Sequence, residues 1–417
     1  MTTTTDQQHH DTFASIKIPE FKYLLLGRFT FTMGLRMMST LVGWWIFQLT
    51  NLPFAIGIVG LSEFLPAFTL ALYAGHVIDL SEKRWMLQRG MLLYCTCTLL
   101  LLLLSTHYSQ GHFTHHTMAL CIYGIIFCTG VTRAFTGPVF NVMLASIVPK
   151  KALQNATTWN TGSYLAASVC GHATGGFLIY YLGITGTLTT IAAFIFVAFL
   201  FISQLNKKPP LNLRGEKRTL ESVKEGLRFV FKTKELLGAI SLDLFAVLFG
   251  GAVAMVPVYI TTILHADVRL LGWLNGASDL GSILVVVWLT MFPPRRRQGK
   301  KLLIVVAGFG VCIIIFGLSK IFLLSFFALM VSGMLDGFSV VIRGTITQLK
   351  TPDNMRGRVI SVNSMFINSS NELGQFESGL AAKLLGVVPS VVFGGCMTLL
   401  VVIITWFKAP ALREMEY

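Results

Sequence analysis

Arg133 sits in the stretch GVTRAFTGPVF (residues 130–140), near the middle of a mostly apolar window from Thr117 to Val148 that is long enough to cross a bilayer. A charge at bilayer depth costs roughly 2.5–3.5 kcal/mol on insertion scales, so such a residue needs a partner, a wet cavity or a function. Glu63, Asp279, Asp243, Asp336, Glu372 and Arg36 fall in comparable stretches. A carboxyl in that setting is poised between two influences: burial favours its neutral form and a nearby Arg its charged form, the balance a proton carrier needs. The expected chemistry is binding of protons or small cations, with Glu63 and Asp279 first and Asp243 after them. Arg36 either tunes Glu63 or meets an anionic group of a ligand; the competing expectation is a static Glu63–Arg36 pair that only packs helices.

The surrounding chain explains why these charges are costly. Of 417 residues, 54% are hydrophobic and 12% charged, against about 25% charged in an ordinary soluble domain, and the mean hydropathy is +0.69. This is an all-α, polytopic membrane protein. The start, MTTTTDQQHHDTF, is polar and acidic and lacks the basic region and short apolar core of a signal peptide. Apolar runs of about 20 residues place twelve spans near 22–49, 54–78, 85–106, 116–146, 156–182, 184–205, 236–263, 269–292, 301–319, 321–348, 357–385 and 388–408. At about 1.5 Å per residue, Glu63 and Asp279 lie near mid-membrane, whereas Arg28 and Asp243 lie near span ends, where they snorkel or pair.

Lys83, Arg84, Lys150, Lys151, the run from Arg295 to Lys301, Lys350, Arg356 and Arg358 all fall in alternate loops, together with the basic segment from Lys207 to Lys234. The opposite loops hold little beyond Arg269 and Lys320. By the positive-inside rule the basic side is cytoplasmic, as are both termini. The net charge of +14 therefore reports topology and contact with membrane lipids; a nucleic-acid partner is excluded because the basic residues are scattered over one membrane face.

Residues 206–235 form the longest and most charged connection. TLESVKEGLRFVFKTKELL repeats apolar residues at helical spacing against a Lys/Glu face, which predicts a surface amphipathic helix. It joins an N-terminal six-helix half (1–205) to a C-terminal one (236–417). A shift of 203 residues lays Gly130 on Gly333, Phe135 on Phe338, Pro149 on Pro352, Asn160 on Asn363 and GHATGG (171–176) on GQFESG (374–379). A shift of 216 lays Gly60, Ser62 and Glu63 on Gly276, Ser278 and Asp279. Parallel six-span repeats with substrate between them describe a rocking secondary transporter. Arg133 then falls on Asp336, as a structural ion-pair member or a cavity charge.

The stretches AGHVIDLSEKR (74–84), RAFTGPVFNVMLASIVP (133–149), NATTWN (155–160), DGFSVVIRGTITQLKTPDNMRGRVISVNSMF (336–366) and SNELGQFESG (370–379) resemble the major facilitator superfamily, in the branch of the enterobactin exporter and the macrolide-efflux permeases. The resemblance covers nearly the whole chain. It implies two pseudo-symmetric halves whose interface is lined by spans 2 and 8, and a conformational switch at the loop between spans 2 and 3. Gly75, Asp79, Lys83 and Arg84 match that signature, while Leu80 and Glu82 replace its usual basic residue and Gly. Arg358 is the expected partner of Asp79 across the halves. The implied function is proton-coupled export, an antiport by alternating access, of a siderophore or drug-like amphipathic molecule by a monomer without cofactors in a bacterial inner membrane. Import of similar compounds, lysophospholipid flipping and a non-transporting receptor are the rivals.

Other features carry less. His107, His112, His115 and His116 share the loop HYSQGHFTHH without a carboxylate or Cys, which favours a solvated loop over a metal site. All seven Cys fall inside spans, as small apolar packing. Trp159 and Trp273 read as interfacial anchors or as aromatic walls of a substrate cavity; Arg343 and Glu377 are further intramembrane charges. There is no Walker loop or closed metal motif, which argues against an enzyme or an ATP-driven pump.

Overall fold

The computed structural model describes residues 13, 15–208, 219–292, 297–352 and 355–416. The segment 1–12, the first part of the linker (209–218) and Arg295 and Arg296 lie outside the described residues, as do the side chains of Asp79 and Lys150.

Twelve spans are present among the described residues. Spans 1 to 4 are Pro19–Thr50, Pro53–Leu80, Lys83–Leu104 and His115–Ile147. Spans 5 and 6 share the continuous segment Leu153–Ser203, which turns at Gly183, where φ is +65° and ψ −171°, a backbone that favours glycine. Span 7 runs from Lys234 to Phe249, loosens into a 3-10 turn at Gly251–Met255 and resumes as Val256–Thr262. Spans 8 to 12 are Arg269–Met291, Gln298–Leu318, Phe322–Lys350, Arg356–Leu385 and Val387–Lys408. Spans 1 and 11 are the more polar helices, as Arg28 and Arg36 in the first and Glu372, Gln375 and Glu377 in the other require. Pro53 and Pro257 open helices at positions where the missing N–H costs nothing. Within the loop expected to be merely solvated, His107–His112 forms a short helix whose last His stacks on Tyr108 at 4.3 Å.

The two halves repeat their internal contacts, and the glycines aligned by the shift of 203 show why. A Cβ on Gly130 (span 4) would lie 2.4 Å from the Glu63 carbonyl of span 2, and one on Gly333 (span 10) 1.9 Å from the Ser278 carbonyl of span 8. Likewise Gly171 abuts Met33 and Arg36 of span 1, while Gly374 abuts Val247 and Leu248 of span 7. Close helix approach through small residues is the usual basis of packing where lipid removes the hydrophobic drive.

A further pair aligned by the shift of 203, Gly176 and Gly379, makes the seams between halves. Span 5 meets span 8 where Gly176 faces Gly272, and span 11 meets span 2 where Gly379 faces Gly57; a Cβ on Gly176 or Gly379 would come within 2.6–2.9 Å of the facing backbone. Both pairs lie away from the basic loops, three to seven residues in from the helix ends or, for Gly176, from the turn at Gly183. On that side Arg269 stacks on Tyr180 and Lys383 on Phe54 across the seams. On the opposite side the linker helix Thr219–Lys232 packs on span 11, with the backbone of Gly226 against Arg358 and Val362.

Candidate functional site

Span 2 carries Glu63 ten residues in from Pro53, about 15 Å along the axis, and Gly130 lets span 4 approach closely enough for Arg133 to reach it. Arg133 Nη1 donates to Glu63 Oε1 at 2.8 Å and, across the seam, to Glu372 Oε1 of span 11 at 2.5 Å. Gln375 Nε2 stands 3.4 Å from the other Glu372 oxygen. One guanidinium thus holds two carboxylates from opposite halves. The Glu63–Arg36 pair weighed from the sequence is not formed, because the glycine contact brings Arg133 to Glu63 first.

The second seam has its own polar crossing. Tyr164, Ser168 and His172 recur every four residues on span 5 and so share one face. Ser168 Oγ donates to Asp279 Oδ2 of span 8 at 2.5 Å, and His172 Nε2 lies 3.8 Å from the same oxygen while its Nδ1 is 2.7 Å from Thr40 Oγ1. Arg36 Nη2 donates to the Tyr164 hydroxyl at 2.7 Å and lies within electrostatic range of Asp279 and Glu372. At both seams a carboxylate of the C-terminal half meets donors of the N-terminal half. The crossings Arg133–Glu372 and Ser168/His172–Asp279 lie at mid-depth, and the ring and cation–π contacts Phe54–Phe376, Phe177–Trp273, Arg269–Tyr180 and Lys383–Phe54 join the halves toward the side away from the basic loops.

Asp336 does not meet Arg133, its counterpart under the repeat. It lies 3.8 Å from Arg343 Nη2 within the C-terminal half, and Arg343 also pairs with the buried Asp243 and donates to Ser339 Oγ at 3.1 Å. Asp243 is therefore tied to a guanidinium one helix away. Arg28, expected to snorkel or pair, instead turns inward: its Nη1 donates to Asn141 Oδ1 and Asn160 Oδ1, both at 3.0 Å. Trp159 packs at a tilt against Phe13 and Trp273 edge-on against Phe177, both toward helix ends and apart from the mid-depth charges.

At the loop between spans 2 and 3, Lys83 is buried and its Nζ donates to the Ile78 and Ser81 carbonyls at 2.6 and 2.9 Å, satisfying the end of span 2. Arg84 Nη2 donates to the Ser203 carbonyl at the end of span 6. Gly75 and Asp79 lie in span 2, and the Asp79 side chain is outside what is described. Arg358 is engaged by Glu225 of the linker helix.

Spacing in the sequence brought Glu63, Asp279 and Arg133 forward but passed over Tyr164, Ser168, His172, Asn141 and Asn160. The available signal was the i, i+4, i+8 polar stripe in an otherwise apolar span.

The sequence profile of the transmembrane secretion effector family matches residues 10–417. Among curated proteins, the Enterobactin exporter EntS of Citrobacter koseri is 25% identical over 214 residues, 51% of this chain and 51% of that protein, so the match spans about half the length of the relative. Solved structures share the fold at low identity. A POT family transporter in complex with 5-aminolevulinic acid superposes with a TM-score of 0.73 at 11% identity, covering 94% of this chain and 96% of that one. The nucleoside transporter NupG superposes at 0.71 and 13%, covering 93% and 99%, and a D-xylose–proton symporter at 0.71 and 13%, covering 97% and 99%.

Proposed function

Because the chain belongs to the transmembrane secretion effector family and is a secondary transporter of the major facilitator kind, we propose that it exports a small amphipathic molecule, of the siderophore or drug-like class, across a bacterial inner membrane in exchange for protons. The observation that carries this reading is the crossing at Arg133, where one guanidinium holds Glu63 of its own half and Glu372 of the other.

Two carboxylates on one cation leave a net negative charge when all three are ionised. When the seam opens, Glu372 leaves the guanidinium and takes up a proton while Arg133 stays paired with Glu63, so no charge is stranded at membrane depth. When the seam closes, Glu372 returns to the guanidinium and gives up its proton. With the basic loops cytoplasmic, the closed seam is periplasmic: the proton is taken up from the periplasm in the outward-facing state and released inward as the seam re-forms. Asp279, held by Ser168 and beside His172, forms the matching crossing on the other side. The halves 1–205 and 236–417 rock as units, joined by the linker 206–235, with Asp79 and the loop Lys83–Arg84 acting at the cytoplasmic side of the outward-facing state.

The exporter relative supports the direction and suggests a probe. In inside-out vesicles with an imposed pH gradient, enterobactin should accumulate through the parent protein. Glu372→Gln should lose accumulation yet retain exchange at equal concentrations, because exchange needs rocking but no net proton transfer. Unchanged uphill transport by Glu372→Gln would overturn the coupling role of the crossing.

A further inference from the structure

We infer that the wall formed by spans 1, 4 and 5 binds an organic anion whose charged group is attached to a planar aromatic ring, with Arg28 and Arg36 receiving the charge and Tyr164 the ring. This rests on the transporter reading for why a ligand is there at all, and it names the class of that ligand.

The first argument is one of charge. Arg133 and Arg343 each hold two carboxylates. Arg28 and Arg36 hold none within ion-pair distance among the described residues; their hydrogen bonds go to the neutral groups Asn141, Asn160 and Tyr164. The acids that Arg36 feels across the seam, Asp279 and Glu372, are already engaged by Ser168 and by Arg133. Two cations about 12 Å apart along one helix, neither of them in an ion pair among the described residues, are expensive at membrane depth. A bound anion supplies what the protein withholds.

The second argument is one of shape. Both guanidinium carbons approach the Tyr164 ring, at 5.6 Å for Arg28 and 5.7 Å for Arg36, and Arg28 also lies 5.4 Å from the Phe140 ring. Arg28 spends only its Nη1 on the two amides, leaving Nε and Nη2 as a fork suited to a carboxylate or phenolate. The aromatic faces beside that fork suit a ring joined directly to the oxyanion. Across the interface the C-terminal half presents Asp279, Asp336 and Glu372, so a second negative group would be repelled and a single charge turns toward the N-terminal half. A cationic ligand would leave both guanidiniums unmet.

Fluorescence titration of the purified, full-length protein in detergent with 1-naphthoate tests this, beside 1-naphthylmethylammonium and cyclohexanecarboxylate. Naphthoate should bind saturably and the ammonium should not. Arg28→Gln and Arg36→Gln should each weaken naphthoate binding at least about tenfold. Tyr164→Leu should weaken naphthoate by a similar factor while leaving the weaker cyclohexanecarboxylate binding unchanged, which a merely structural role would not do. Each variant is compared at a preserved elution profile and melting temperature; where a Gln variant does not fold, Arg→Lys at the same position, which keeps the charge and loses the fork, should weaken binding by a smaller factor. Absence of saturable naphthoate binding to the parent protein, equal binding of the ammonium, or unchanged binding in the Arg28 and Arg36 variants would overturn the inference. The titration involves no gradient: its failure with gradient-driven enterobactin transport intact removes this inference alone. Success alongside unimpaired uphill transport by Glu372→Gln removes only the coupling reading.

Discussion

Replacing Arg133 by Ala should be among the most destabilising single changes in the protein, and the structure says how much and why. The substitution strands Glu63 and Glu372 together, but not equally: the Glu372 side chain is 8% exposed and the Glu63 side chain 29%, so water relieves much of the second and little of the first. Breaking a buried pair by removing one partner costs roughly 3–5 kcal/mol, and the discount for Glu63 places the expected loss near the lower end, about 3 kcal/mol. Interhelical hydrogen bonds in membranes average only about 0.6 kcal/mol, so a loss of this size marks a charge effect. Glu372→Gln should cost about 1 kcal/mol or less, since Arg133 keeps Glu63. The double variant Arg133→Ala with Glu372→Gln should recover most of the single Arg133→Ala loss, because the buried charge is gone. Reversible unfolding in mixed detergent micelles, with all four proteins in one cycle, measures these differences. Additive losses in the double variant, or a Glu372→Gln loss as large as that of Arg133→Ala, would refute the shared-guanidinium account.

Gly176→Leu and Gly379→Leu should each prevent closure of the seam that Gly272 or Gly57 completes, since even a Cβ there would sit under 3 Å from backbone atoms. Gly162→Ala, with open space around it, should be indistinguishable from the parent when accessibility of the far side is measured by thiol labelling. Asp267 lies in the loop before span 8, where the Arg269 backbone N–H and then its guanidinium hold the carboxyl below the usual range. A carboxyl so held adds stability above its unfolded value of about 3.9 and loses it as pH falls through the lower folded value. Melting temperatures of the parent and Asp267→Asn should therefore differ by the same small amount from pH 8 to 5, and converge only below about pH 4.

The fold was legible because its determinants are local or periodic. Apolar length marks the spans and alternating Lys/Arg loops mark the sides. Gly130, Gly171 and Gly176, echoed at Gly333, Gly374 and Gly379, mark where helices must touch. Partner choice within the site was not legible in the same way. Arg133 and Asp336 align under the repeat, yet Arg133 finds Glu63 and Glu372 whereas Asp336 finds Arg343, because side-chain reach across a seam depends on helix rotation that an offset does not encode. His172 and Ser168 escaped notice because single polar residues in apolar spans are unremarkable until a facing carboxylate is placed beside them. Lys83 and Arg84, expected as parts of a switch, also donate to the carbonyl ends of spans 2 and 6, as a basic residue beside a helix C-terminus can.

The central claim is that ionised Glu372 holds the far seam closed and that its protonation releases it. Spin labels at Leu52 and Leu384, both exposed on that side, in a background with the seven native Cys replaced, allow the separation of the halves to be measured by pulsed dipolar spectroscopy without any substrate. Lowering the pH from 8 to 5 should lengthen the distance distribution, and Glu372→Gln should show the long distances at both values. A distribution that ignores pH in the parent, or a Glu372→Gln protein that remains closed, would contradict the account.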